Sequence, residues 1–266
     1  MNLRERFGNT ALILGASEGI GEAFSKQLAE EGMNLIVVAR RKEPLEEMGQ
    51  KIREQYRVTV DCICCDLADL KGVEELCKNL SQQREINLLV YNAALAYIGP
   101  FEANSIEHHH KMAVTNIITP MYITQLFGSK MILKGNGAII LMSSLAGFQG
   151  SGYLSVYAAS KAFSRVFAEG LWYEWKQRGV AVIACCAGAT STPNFLDTNP
   201  GKPGFFAPKV QTADQVVKEC FEKLGKQPSF VSGTGNKIAA FIMQKIIPRK
   251  LAIKIMGDTT KKMYRL

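Results

Sequence analysis

The chain has 266 residues, of which 47% are apolar and 21% charged, and its formal net charge is +8. That length can bury one sizeable core, and that composition is ordinary for a folded water-soluble protein, which excludes a disordered chain. No apolar run approaches the roughly 18 residues of a membrane-spanning helix, and no apolar stretch typical of a secretory signal follows Met1-Asn2-Leu3-Arg4-Glu5-Arg6, so a cytoplasmic location is expected.

In chain order, apolar runs near 10–15, 34–39, 58–65, 86–91, 137–142 and 180–186 read as strands, with a last one near Ser229 to Ser232. Helical patterns fall near 19–31, 43–55, 69–84, 107–133, 155–178 and 212–224. This alternation predicts an α/β fold, one doubly wound parallel sheet with helices on both faces. No repeat, linker or low-complexity stretch interrupts it, so residues 1–266 are expected to form a single domain. In such sheets ligands bind at the carboxyl ends of the strands. Gly15, Arg40, Asp66, Asn92, Ser143, Ser144 and Gly188 stand at those predicted ends.

The first apolar run meets three glycines in Gly15-Ala16-Ser17-Glu18-Gly19-Ile20-Gly21. Glycines allow a tight turn and close approach to a pyrophosphate, and the helix N-terminus that follows offers free N–H groups and a positive dipole end. The spacing is G-x-x-x-G-x-G rather than G-x-G-x-x-G. Further on, Tyr157 and Lys161 are four residues apart and share one helix face, with Ser144 thirteen positions upstream. A lysine ammonium beside a tyrosine favours the phenolate and lowers its pKa, which suits the tyrosine to acid/base work. Ser143 is adjacent to Ser144, but at a strand end it points to the opposite side.

Taken together, the glycine motif, Asp66, Asn92-Ala93-Ala94, Asn116, Ser144, Tyr157, Lys161, Gly188 and Thr192 resemble the short-chain dehydrogenase/reductase family over nearly the whole chain. The resemblance departs where Leu14 replaces a usual Thr, where Tyr91 and Ala94 replace the first Asn and the Gly of Asn-Asn-Ala-Gly, and where Ala187 replaces a Pro. No catalytic group is lost. The resemblance implies a Rossmann-like sheet and an enzyme that interconverts a ketone and a secondary alcohol. Tyr157 would be the acid/base, Lys161 would lower its pKa and bind the nicotinamide ribose, Ser144 would hold the substrate oxygen, and Asn116 would order a water. It also implies cofactor contacts at Gly15, Ser17, Glu18, Gly19, Ile20, Gly21, Arg40, Arg41, Asp66, Leu67, Asn92, Ala93, Tyr157, Lys161, Gly188, Thr190 and Thr192. Within the family, the opening Met1 to Glu5, the Leu14 to Gly19 stretch, Thr192-Pro193 and Asn199-Pro200 look similar to microbial 7β-hydroxysteroid dehydrogenases. That similarity implies a steroid or bile acid substrate, although the longer C-terminus departs from it. Broad-range carbonyl or 3-ketoacyl reduction, and a non-catalytic nucleotide-binding scaffold, are the alternatives.

Cofactor choice rests on the end of the second strand. Arg40 and Arg41 stand there without an acid, and arginine binds a 2′-phosphate through a planar fork, so NADP(H) is expected over NAD(H). Glu18 weighs against this, since relatives that bind NADP often have a basic residue before the second glycine. His108, His109 and His110 are consecutive, so they point about 100° apart and cannot close on one metal ion; they read as a solvated or interface element. Seven cysteines, five of them in the strand runs 58–65 and 180–186, read as reduced core thiols. Trp172, Tyr173 and Trp175 read as core or subunit contacts.

Two segments remain. Residues 190–211 hold four prolines and are expected to form a substrate lid. Phe148, Tyr153, Phe195, Leu196, Phe205 and Phe206 flank the site and favour an apolar substrate. Residues 237–266 carry eight basic residues and one acid, so this tail holds +7 of the +8 and gives no reason to expect a nucleic-acid partner. Its apolar residues, from 236 onward, are expected to form two short helices broken at Pro248. They would serve the pocket and a homodimer or homotetramer interface, or else touch a membrane peripherally.

Overall fold

Both faces of a buried parallel sheet need apolar cover, and the strands of this chain are apolar on both. The computed structural model describes residues 2–197 and 210–266. Its strands are β1 (Thr10–Leu14), β2 (Asn34–Ala39), β3 (Val60–Cys64), β4 (Leu88–Tyr91), β5 (Gly137–Ser144), β6 (Val180–Ala187), β7 (Thr190–Ser191), β8 (Gln211–Thr212) and β9 (Ser229–Val231). Seven of them form one sheet in the order β3-β2-β1-β4-β5-β6-β9, all parallel, and β7 pairs with β8 apart from it. The expected doubly wound, Rossmann-like sheet is therefore present, with its strand order reversing between β1 and β4.

The helices are α1 (Leu3–Phe7), α2 (Gly19–Glu30), α3 (Lys42–Tyr56), α4 (Leu70–Gln83), α5 (Ile106–Ala113), α6 (Thr119–Lys134), α7 (Ser155–Trp175), α8 (Pro193–Asp197), α9 (Ala213–Lys223), α10 (Thr234–Phe241) and α11 (Arg249–Tyr264). Alternate strand residues feed two cores. Ala11 and Ile13 of β1 join Phe24 and Leu28 of α2, Met48 and Ile52 of α3 and Val216 of α9. Leu12 and Leu14 join Val73 of α4, Phe127 of α6 and Leu171 of α7 on the other face.

Three expectations need correction. The helix anticipated over 107–133 is interrupted by a π-helical turn, Val114–Ile118, which carries Asn116. The cysteines of the 58–65 run are not all core, because its strand β3 is an edge strand: Cys62 and Cys65 are half-buried and Cys64 is exposed. Cys77, Cys185, Cys186 and Cys220 are buried as anticipated, and burial pushes the Cys77 thiol up to about 12. The tail does break at Pro248, but α11 is a 16-residue helix and not a short one.

Tyr91 is buried, and its hydroxyl donates to the Thr115 carbonyl at 2.5 Å. The residue that departs from the family pattern thus ties β4 to the π turn. Removing the donor leaves a buried carbonyl unpaired, which costs on the order of 1–3 kcal/mol. Tyr91→Phe should lower the urea midpoint accordingly, and an unchanged midpoint would show that the hydroxyl does not hold the turn.

Candidate active site

The first loop is built for close approach. Gly15 has φ +81°, and a Cβ there would meet the Ala93 backbone nitrogen at 2.6 Å; a Cβ on Gly21 would meet the Gly15 carbonyl at 1.9 Å. Any larger residue would push the loops after β1 and β4 apart. Asn92 locks them together by donating Nδ2 to the Gly15 carbonyl at 2.8 Å. At the head of α2, Glu18 occupies the N-cap with extended backbone but makes no side-chain cap bond. Among the described residues the first N–H groups of α2 thus have no side-chain cap, the arrangement that receives a phosphate. Gly19, at φ +60°, packs against Thr192 with its would-be Cβ 2.9 Å from the threonine methyl. This cradle fits a dinucleotide.

The other expected cofactor positions spread around it. Ser17 is half-buried in the turn, whereas Ile20 packs on the first core. Asp66 accepts from the Ala68 N–H at 3.0 Å, and the buried Leu67 offers its carbonyl to Thr119 at 2.9 Å. Thr190 is buried and donates to the Gly188 carbonyl at 3.1 Å. Arg41 is paired with Glu18 at 2.6 Å. Arg40 is exposed, and no ion pair engages it among the described residues.

The second cluster lies where α7 docks on the end of β5. Lys161 is buried, and its Nζ donates to the Met142 carbonyl at 2.9 Å; Ser143 Oγ donates back to the Lys161 carbonyl at 2.7 Å. Gly147 makes the approach possible, since a Cβ there would meet the Lys161 and Ala162 backbone at 2.7 Å. Ser143 is thus engaged by the Lys161 carbonyl, while Ser144 hydrogen-bonds Tyr157. Lys161 Nζ lies 5.7 Å from the Tyr157 ring centre. Asn116 donates to the Leu95 carbonyl at 2.8 Å and to Ser160 Oγ at 3.0 Å, and accepts from the Leu95 N–H at 2.8 Å. Its side chain pins the loop after β4 to the turn of α7 that holds Tyr157 and Lys161.

One electrostatic expectation reverses. Lys161 does not bring the Tyr157 phenol down: burial pushes it above its ordinary value, the Ser144 hydrogen bond pulls it back, and nearby Tyr264 adds to the rise. The physical reason is that Lys161 Nζ is turned to the Met142 carbonyl and is itself penalised by burial, which lowers it from 10.5 to about 8.

Some groups do not join the site. His109 is buried and stacks on Phe101 with ring centres 4.6 Å apart, while His108 bonds Asn104 at 3.0 Å, so the triplet is not a single solvated face. Trp172 and Trp175 pack on the second core, and Tyr173 is exposed. A groove of about 450 Å³ lined by Lys26, Glu30, Tyr56, Asp214, Lys218 and Phe221 contains none of the site residues. Of the anticipated lid, residues 198–209 lie outside the described residues, and with them Asn199, Pro200, Pro203, Phe205, Phe206 and Pro208.

A sequence profile of short chain dehydrogenases matches residues 9–202. The chain belongs to the short-chain dehydrogenase/reductase family. It is similar to a 7beta-hydroxysteroid dehydrogenase of Mediterraneibacter gnavus, 34% identical over 239 residues that cover 89% of this chain and 90% of that one. A solved structure from work on 7beta-hydroxysteroid dehydrogenase stereoselectivity superposes with a TM-score of 0.90 at 31% identity, covering 96% of this chain and 99% of that chain. A short-chain dehydrogenase from Sphingobium yanoikuyae in complex with NADPH gives a TM-score of 0.76 at 26% identity, covering 84% and 87%. As a short-chain dehydrogenase, this protein is an oxidoreductase acting on CH–OH groups with a nicotinamide cofactor.

Sequence reasoning assigned the C-terminal tail to the pocket but missed its contacts. α11 lies against the loop after β5: Arg249 donates to the Phe148 carbonyl at 3.2 Å, Gly150 faces Ile253, and Gly152 lies against Gly257. Tyr264 ends that helix beside Tyr157. No spacing rule links residues more than a hundred positions apart, so only the glycines at 150, 152 and 257 carried a signal. Tyr153, in the same loop, holds a left-handed φ of 63°, a strained conformation for a bulky residue.

The Lys161 shift makes a stability prediction. Below pH 8 both folded and unfolded chains hold its proton; between about 8 and 10.5 only the unfolded chain does, so stability contributed at this position rises with pH. In protein without added nucleotide, wild type should gain roughly 2–3 kcal/mol relative to Lys161→Met across that window. A pH-independent difference in urea unfolding would contradict the buried, lowered amine.

Proposed function

We propose that this short-chain dehydrogenase is NADP(H)-dependent and interconverts a ketone and a secondary alcohol on a bulky apolar substrate of steroid or bile acid type. The observation that carries the reading is the convergence of Ser144, Tyr157 and Lys161 beside a glycine cradle whose helix N-terminus is uncapped. The 7beta-hydroxysteroid dehydrogenases at about a third identity favour the substrate class, and the NADPH complex of a neighbour favours the nucleotide.

The nicotinamide, when bound, supplies or accepts the hydride. Everything else falls to the chain's own groups. Ser144 holds the carbonyl oxygen through its hydroxyl. Tyr157, kept protonated by burial, donates its proton to that oxygen as negative charge develops during reduction, and takes it back during oxidation. Lys161, near 8, exchanges a proton within the neutral range and would hold the ribose. Asn116 keeps these groups in register, and a water relay through it remains part of the proposal. Gly15, Gly19 and Gly21, with Asn92 and Ala93, would seat the pyrophosphate side, and Asp66 and Leu67 the adenine side. Arg40 is the free candidate for the 2′-phosphate, since Glu18 already engages Arg41. Ile118, Met121 and Tyr122, with Val166 and Tyr173 of α7, leave exposed apolar surface, which supports a homodimer or homotetramer built through these helices.

NADPH and NADH oxidation should be followed with bile acid ketones, a 3-ketoacyl thioester and small ketones. Wild type should turn over the bile acid ketones with NADPH preferred. Arg40→Ala should lose roughly tenfold or more of that preference, the worth of one charge-assisted phosphate contact, and Arg41→Ala should lose less. No turnover with any ketone would favour the scaffold reading, and an unchanged nucleotide ratio in Arg40→Ala would remove that residue from the pocket.

A further inference from the structure

The C-terminal segment divides into two parts with different surroundings. α11 turns toward the loop after β5, as described. α10 and the π turn that follows it, Ile242–Ile246, carry an apolar stripe on the surface. Asn236 and Ala240 face inward and are buried, whereas Ile238, Phe241, Ile242 and Ile246 are 58%, 59%, 37% and 64% exposed. These four recur at helical intervals and form one outward stripe. Lys245 is exposed one turn along the same face, and Arg249, Lys250 and Lys254 follow it. An outward stripe of isoleucine and phenylalanine is unfavourable in water and marks a contact surface.

The charge decides between occupants. Residues 237–266 carry eight basic side chains and Asp258 as the single acid, and Lys237 is neutralised by Glu219 at 3.4 Å. A two-fold contact with a second copy would set this positive face against itself. An anionic bilayer complements both features, taking the apolar side chains at the acyl boundary and the lysines and arginines at its headgroups. No helix among the described residues is long and apolar enough to cross a membrane, so the contact would be peripheral. The helix that carries the stripe also borders the site from its inward face, where the Asn236 amide abuts Gly188 just after β6.

We propose that Ile238, Phe241, Ile242 and Ile246, with the flanking basic residues, dock this protein on an anionic lipid surface beside its active-site mouth. The proposal goes beyond the oxidoreductase reading, and its test does not use turnover. The full-length protein is sedimented with vesicles of mixed phosphatidylglycerol and phosphatidylcholine, and with vesicles of phosphatidylcholine alone. Wild type should pellet with the anionic vesicles and be released by high salt. The triple variant Phe241→Ser, Ile242→Ser, Ile246→Ser changes only exposed positions, so its fold should persist by circular dichroism, and its partitioning should fall roughly tenfold or more. Lys245→Glu with Lys250→Glu should weaken binding as well. Wild type that stays in the supernatant, or a serine variant that pellets as wild type does, would overturn the proposal. So would a serine variant that sediments in plain buffer as a smaller species, because the stripe would then be a subunit contact.

Discussion

The docking of α7 on the end of β5 is the contact on which the active site depends. Lys161 donates to Met142, Ser143 donates back to Lys161, and Gly147 lets the two backbones meet at a distance no side chain would permit. One turn before Lys161 on the same helix stands Tyr157, and one residue after Ser143 stands Ser144. Fixing the two elements to each other fixes the distance between the proton donor and the oxygen-holding hydroxyl. The buried lysine lowered to about 8 and the tyrosine raised by burial are consequences of the same close contact.

The second constraint is topological. The strand order reverses between β1 and β4, so the connections after those strands run to opposite faces and leave a crevice at their carboxyl ends. Gly15 and Gly21 let the backbone line that crevice without side chains, and Asn92 holds the two loops at a set separation. Asn116 then joins the crevice to α7 through Leu95 and Ser160. Asn116 stands on a π turn that Tyr91 ties to β4.

Much of this was legible in the sequence, because local rules govern it. The apolar runs gave the strands to within a few residues, and the glycine spacing, the Tyr157–Lys161 interval and the parity of Ser143 against Ser144 follow from backbone geometry. What was not legible depends on distant pairings. The edge position of β3, which exposes Cys64, is a property of the sheet order. The pairing of Glu18 with Arg41, the burial of His109 against Phe101 and the seat of α11 on the Gly150–Gly152 loop join residues that no periodicity connects. The direction of the Tyr157 shift failed for a related reason, since helix spacing placed Lys161 on the right face without revealing that its ammonium bonds Met142. The tail was ambiguous as one segment: α11 packs on the loop after β5 yet still exposes Leu251 and Ile253, and α10 exposes Ile238 and Phe241.

The account's central claim is that Tyr157 moves the proton while the rest of the crevice holds the nucleotide. The direct measurement compares Tyr157→Phe with wild type for NADPH affinity by fluorescence titration and for single-turnover ketone reduction. The phenyl ring packs like the phenol, so affinity should stay within about threefold while the chemical step falls by roughly a hundredfold or more. Reduction within tenfold of wild type, at unchanged NADPH affinity, would contradict it.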